Sequence, residues 1–159
     1  MVSGARSLSV RDSEARCEPG VRGERIFLDT WFTLALLNAR DTFHAQAKKL
    51  LPRVRSAAQV ITTEAVLVEV CNGLARLDRT GAAAFVKACY VDPRIEVVPV
   101  TRPLLDLALQ HYSTALDKEW GLTDCISFAV MRQYDVQFVA TGDHHFRQAG
   151  FIPLFDSPG

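Results

Sequence analysis

Residues 26–30, Ile-Phe-Leu-Asp-Thr, constrain the fold more than any other stretch of the chain. Three consecutive apolar residues suit a strand buried on both faces, which is the pattern of a central strand in a parallel sheet. A carboxylate ends the run, and ligands of open α/β sheets bind outside the carboxyl ends of such strands. Asp29 therefore stands where chemistry is expected. The same position also suits a helix N-cap, because Asp and Thr accept hydrogen bonds from the free amides of a first turn. The layout recurs once: residues 136–140, Val-Gln-Phe-Val-Ala, read as an apolar strand, and Thr141, Gly142 and Asp143 follow. Asp143 alone reads equally well as a turn residue after glycine. If the two strands are sheet neighbours, their terminal carboxylates meet at one crevice.

Residues 59–61, 95–98 and 152–155 read as further strands, the last of them short. Helical patterns separate them. Residues 31–38 are apolar all round, as in a fully buried helix. Asp41 is expected to cap a second helix with Phe43, Ala47, Leu50, Leu51 and Val54 at helical spacing, with Pro52 in its last turns. Thr62 or Thr63 caps a third, running to about Leu77, and residues 81–90 form a fourth. Thr101 and Pro103 open a fifth with Leu104, Leu105, Ala108, Leu109 and Tyr112 on one face. After a polar loop over 113–121, Thr123 caps a sixth helix to about Gln133. Strands separated by helices predict a three-layer α/β/α, Rossmann-like fold around a parallel sheet of four to five strands.

A chain of 159 residues with 48% hydrophobic content suits one domain with a sizeable core, expected over 25–159. Residues 1–24 carry four arginines and four acids and almost no large apolar residues, so a disordered extension is expected there. Lysine plus arginine equals aspartate plus glutamate at 18 each. A polyanionic partner would thus need a local patch or a metal, because the whole-molecule field supplies nothing. No apolar run approaches the roughly 20 residues of a membrane span, and the N-terminus lacks the apolar core of a secretion signal. Cys17, Cys71, Cys89 and Cys125 form no CxxC pair. They read as reduced thiols of a cytoplasmic protein, with no disulfide or zinc role.

Two more acids occupy positions facing the core. Glu69 lies about 40° from Gly73 and 60° from Val66 around its helix, at the edge of the apolar stripe Val66, Val70, Gly73, Leu74 and Leu77. Gly73, one turn on, would let another backbone approach. Asp124 starts a row continued by Ser127, Phe128 and Met131, an inward-looking face. In a first turn it is also stabilised by the helix dipole, which is a sufficient structural reason for it. Should the four acids converge, each pair about 4 Å apart repels by roughly 4 kcal/mol at an effective dielectric of 20. That rivals the stability of a small domain, so either some acids stay protonated or a cation sits among them. Oxygen ligands without a Cys/His cluster favour Mg²⁺ or Mn²⁺, and such a centre suits hydrolysis of phosphodiesters.

The stretches FLDT at Asp29, LNARDTFHAQA, TTEAVLVEV around Glu69, DKEWGLTDCISFAVM around Asp124 and FVATGDHHFRQAGF around Asp143 resemble the PIN-domain ribonucleases. Within that family they resemble the VapC-like toxins of bacterial type II toxin–antitoxin pairs. The likeness spans about Arg25 to Phe155. It implies that Asp29, Glu69, Asp124 and Asp143 form the acidic metal-binding quartet, and that Thr141 supports the quartet through its hydroxyl. It implies cleavage of RNA to a 5′-phosphate and a 3′-hydroxyl, a homodimer, and inhibition by a small antitoxin. Trp31 is a departure: relatives often carry a small polar residue there, while Thr30 keeps a hydroxyl next door. Asp117 reads as a solvated loop acid, and His144 and His145 as structural residues ahead of a packing Phe146. Arg132 and Arg147 are candidates for holding the scissile phosphate, and the basic run Lys48, Lys49, Arg53, Arg55 is a weaker one.

The expected function is a Mg²⁺-dependent endoribonuclease. One alternative is a catalytically weak PIN domain that binds RNA or protein. Another is a Rossmann-like phosphatase with an aspartyl nucleophile, a chemistry that would want a second acid at position 31, where Trp31 stands.

Overall fold

A computed structural model describes residues 23–155. The expected extension lies outside the described residues except for Gly23 and Glu24, and Cys17 lies outside them too. Glu24 joins the folded body: its carbonyl accepts from Ala58 N at 2.9 Å, and its carboxylate receives the Arg53 guanidinium at 2.5 and 3.1 Å.

Among the described residues the chain runs β1 (Arg25–Leu28), α1 (Thr30–Leu37), α2 (His44–Ser56), β2 (Gln59–Thr63), α3 (Glu64–Leu74) and α4 (Arg79–Val91). It continues through β3 (Ile95–Val98), α5 (Arg102–Thr114), α6 (Leu122–Gln133), β4 (Phe138–Ala140), α7 (His144–Gln148) and β5 (Ile152–Pro153). The five strands form one sheet in the order β3-β2-β1-β4-β5, and every pair is parallel. The chain builds outward from β1 through β2 and β3, then crosses back to lay β4 and β5 on the other side. The order reverses between β1 and β4, where an open parallel sheet leaves its crevice.

The continuous apolar character of β1 has a direct cause. Successive side chains point to opposite faces, and each face meets a helical layer. Phe27, Ile61 and Val139 pack with α3, α5, α6 and Phe146 of α7. Ile26, Leu28, Val60 and Ala140 pack with Phe32 and Ala35 of α1 and Ala47 and Val54 of α2. Burial on both faces is why helix α6 carries a run of seven buried residues, Cys125 to Met131, between the sheet and α5.

Several local expectations change. The helix after Asp41 begins at His44, because Asp41 Oδ1 takes Phe43 N (2.8 Å) in a preceding turn. Helix α6 begins on Gly121 rather than on Thr123: the Asp124 carboxylate itself receives Gly121 N at 2.9 Å. A Cβ on Gly73 would come within 2.9 Å of Leu34 Cδ2, so the close neighbour there is a side chain of α1 and not a backbone. Helix α5 buries Leu104 and Ala108, whereas Leu109 and Tyr112 of the expected apolar face stand 41% and 51% exposed. Helix α7 has only five residues, too few to show a periodic stripe, and the sequence pattern marks no element there.

Candidate active site

The register Leu28↔Ala140 continues outward to place Asp29 beside Thr141, both on the Phe27 and Val139 side of the sheet. Thr141 Oγ1 donates to Asp29 Oδ2 at 2.7 Å and accepts from Asp143 N at 3.0 Å, so one hydroxyl ties the two strand ends together. Asp29 also caps α1 through Trp31 N, weakly at 3.4 Å. The capping role and the site role coexist. Only 5% of the residue is exposed. Burial pushes its carboxyl up to about 7, with the charge of Asp124 adding, against the lowering effect of Thr141 and the amides of Thr30 and Trp31.

Asp143 ends the same crevice from β4 and caps α7, its Oδ1 accepting from His145 N at 2.9 Å. That turn brings the His145 ring over the site. Its Nδ1 lies 3.2 Å from Asp124 Oδ2 and 3.4 Å from Asp143 Oδ1. One imidazole nitrogen therefore stands between the two carboxylates. Burial raises the Asp124 carboxyl, the charge of Asp143 adds, and Gly121 N and His145 oppose both. From α3, Glu69 accepts Thr30 Oγ1 at 2.6 Å, which anchors it one residue from Asp29.

The four expected acids thus gather at the carboxyl edge of β1 and β4, joined by Thr30, Thr141 and His145 rather than by direct contact. Both threonines that the sequence singled out are the linking groups. His145 was read as structural; the structure puts it between two acids, while Phe146 alone packs, fully buried against Phe27, Phe128 and Phe151. The signal available was an Asp-x-His step opening a helix, hidden because α7 is so short. Asp143, His144 and His145 also offer donor atoms within 4.8 Å of one another, with His144 largely exposed.

Other candidates lie elsewhere. Arg132 sits eight residues, about 12 Å, along α6 from Asp124. Its guanidinium rests over Phe151 (5.5 Å) and donates to Ala149 O, so it is turned away from the acids. Arg147 is exposed one helical turn beyond Asp143. Helix α2 leads away from the site: Arg53 is held by Glu24 and lies over Phe138, and Arg55 O receives Arg94 Nη1 at 2.6 Å, all at the amino edge of the sheet. Lys48 and Lys49 are exposed along its length. Trp31 packs against Phe43 and Phe155 at 4.9 and 4.8 Å between ring centres. Asp117 is exposed and paired with Lys118, as expected of a loop acid.

The donors fit a hard divalent ion. They are mostly carboxylate oxygens, and Asp29 and Asp124 are held above the ordinary carboxylate range, as expected where negative charge is gathered under poor hydration. A cation would relieve that repulsion.

Known proteins share this sequence pattern and fold. The 23S rRNA-specific endonuclease VapC20 of Mycobacterium tuberculosis is 34% identical over 129 residues, covering 81% of this chain and 97% of that protein, in strains CDC 1551 / Oshkosh and ATCC 25618 / H37Rv alike. The crystal structure of that VapC20, described as a Sarcin-Ricin loop cleaving toxin, superposes with a TM-score of 0.74 at 32% identity, over 81% of this chain and 98% of the other. FitAcB from Neisseria gonorrhoeae shares the fold alone, with a TM-score of 0.56 at 19% identity over 82% and 96% of the two chains. Residues 26–152 match the family model of the PIN domain, and with that match spanning most of its length the chain belongs to the PIN-domain family, among the VapC-like toxins.

Proposed function

We propose that the chain is a Mg²⁺- or Mn²⁺-dependent endoribonuclease and the toxin of a type II toxin–antitoxin pair. The observation that carries this reading is the Thr141 hydroxyl joining Asp29 to the Asp143 backbone at the β1/β4 crevice, with Asp124 and Glu69 bonded into the same cluster. Asp29, Glu69, Asp124 and Asp143 would hold the ion. When bound, the ion supplies a more acidic water and positive charge against a phosphodiester.

The chain's own residues do the rest. Thr141 holds Asp29 facing the crevice, Thr30 holds Glu69, and Gly121 N holds Asp124, so each carboxylate is fixed by a hydrogen bond at the crevice. Attack of water on phosphorus breaks the P–O3′ bond and leaves a 5′-phosphate and a 3′-hydroxyl. The net-neutral protein attracts RNA through this local centre, and Arg147, exposed one turn along α7 from Asp143, is a candidate phosphate contact.

Ribosomal RNA is the first substrate to test, because the VapC20 relative acts on 23S rRNA. The partner is a small antitoxin covering the acidic crevice. A homodimer is supported by Leu109, Tyr112 and Leu116, exposed at helical spacing along and just past α5. Cytoplasmic residence accords with the free thiols Cys71, Cys89 and Cys125, and no described helix is long and apolar enough to cross a membrane.

Purified protein incubated with ribosomal RNA should cut it with Mg²⁺ and not with chelator, and Asp29→Asn should be inactive. Full cleavage by Asp29→Asn would overturn the reading. Tight RNA binding without metal-dependent cleavage would favour a binding module instead.

A further inference from the structure

His145 meets two acids of the cluster through two different groups. Its backbone N–H donates to Asp143 Oδ1 at 2.9 Å, which caps α7. Its ring Nδ1 lies 3.2 Å from Asp124 Oδ2, an ordinary hydrogen bond, and 3.4 Å from Asp143 Oδ1, beyond the usual N–H···O range. An ionised carboxylate only accepts, so Nδ1 carries the proton and donates to Asp124. The amino end of α6 does not need this bond, because Asp124 already caps it by accepting from Gly121 N at 2.9 Å. Both donors meet the same oxygen, Oδ2, while Oδ1 carries neither. The terminal torsion of an aspartate is soft, so two donors on one oxygen fix the carboxylate plane and turn the other oxygen into the ligand. The imidazole is itself held. Its side chain is only 16% exposed, and the next residue, Phe146, is fully buried with its ring 5.1 Å from Phe128 of α6 and 6.3 Å from Phe27 of β1. That packing anchors the start of α7 against the helix that carries Asp124.

Resting on the proposed metal centre, we infer that His145 is a positioning residue: its Nδ1–H holds Asp124 by Oδ2 so that Oδ1 is offered to the divalent ion. The ring acts through the carboxylate and does not bind the ion. Partners that orient a metal-binding side chain in this way typically carry about ten- to a hundredfold of metal affinity or activity. The neighbouring His144 is an internal control, since its side chain is 71% exposed and its Nδ1 stands 3.6 Å from Asp143 Oδ1, outside hydrogen-bond reach. Asparagine can stand in for the donor at position 145, because its Nδ2 is as many bonds from Cβ as the histidine Nδ1. Phenylalanine keeps a ring there and loses the donor.

The test titrates the full-length metal-free protein calorimetrically with Mg²⁺ and Mn²⁺, and measures kcat and KM for RNA at saturating metal. His145→Phe should weaken binding of both ions by about ten- to a hundredfold, with the KM for RNA at saturating metal changed by less than about threefold. His145→Asn should return ion binding to within about threefold of the wild type, and His144→Phe should match the wild type. Nitrogen-15 magnetic resonance of the histidine-labelled, Mg²⁺-loaded wild type should show the His145 ring protonated at Nδ1, as a donor to Asp124 must be. The inference is overturned if His145→Phe binds both ions as the wild type does, if His145→Asn binds no better than His145→Phe, or if Nδ1 carries no proton in the loaded protein. Should His145→Phe fail to fold, the spectrum decides: a slowly exchanging proton on Nδ1 supports the role, and a bare Nδ1 overturns it. Absence of any ion binding by the wild type, with no chelator-sensitive cleavage, would sink the nuclease reading and this role with it, an outcome distinct from normal binding by His145→Phe.

Discussion

The two edges of the sheet treat charge in opposite ways. At the amino edge, Glu24 pairs with Arg53, Asp92 with Arg94 and Asp135 with Arg25, each in contact with solvent. The guanidiniums beside Glu24 and Asp92 hold those carboxyls below the ordinary range, chiefly by hydrogen bonding. At the carboxyl edge, Asp29 and Asp124 are held above it, chiefly by burial. Their hydrogen bonds come from a hydroxyl, backbone amides and one imidazole. One edge is neutralised within the chain. The other buries carboxyls whose charged form is poorly hydrated, a cost to stability that an external cation can relieve.

The sharpest way to break this contrast is at Asp29. Asp29→Asn removes the most buried acid and is expected to cut ribonuclease activity by about 10²- to 10³-fold or more while the protein remains folded, measured on labelled RNA with circular dichroism as control. The next test is pH. The Asp29 carboxyl ionises near 3.8 in the unfolded chain and near 7 in the fold, so between those values the folded state binds more protons. Stability contributed by this group is therefore lost as pH rises through that window, by an amount on the order of a few kcal/mol. Chelator-treated protein should melt at a lower temperature at pH 8 than at pH 5, and Asp29→Asn should show a flatter profile. A wild-type profile rising with pH would contradict the account of a carboxyl raised by burial.

Smaller effects sharpen the comparison. Thr141→Val deletes two hydrogen bonds from one buried hydroxyl and is expected to lower stability by about 1 to 3 kcal/mol, with a loss of cleavage as well, read by denaturant melts and the same RNA assay. Arg53→Ala at the opposite edge should change stability by no more than about 1 kcal/mol and leave cleavage unchanged, because an exposed pair is screened by water. Equal losses from Thr141→Val and Arg53→Ala would mean that the edges do not differ as argued.

How legible the site was depended on the element carrying each residue. Asp29 and Asp143 could be read because buried strands give an unbroken apolar run, and an acid ending such a run is conspicuous. The convergence of Glu69 and Asp124 with them was implied by family resemblance, since helical spacing alone left both as edge or first-turn acids. The resemblance set His145 aside as structural, because its motif leads to the packing Phe146, and five-residue α7 carries no periodic signal to show which way the ring faces. Arg132 shows the reverse error: near Asp124 in sequence, it is carried to the other edge by two turns of α6.

By itself the sequence determined the five strands, six of the seven described helices, and that both faces of the sheet would be covered, because burial dictates side-chain periodicity along each element long enough to show it. Only the tertiary structure decided that β1 lies next to β4, that one threonine hydroxyl bridges their ends, and that an imidazole stands between two carboxylates. Those are contacts between residues far apart in the chain, set by strand order and register, which local pattern does not encode.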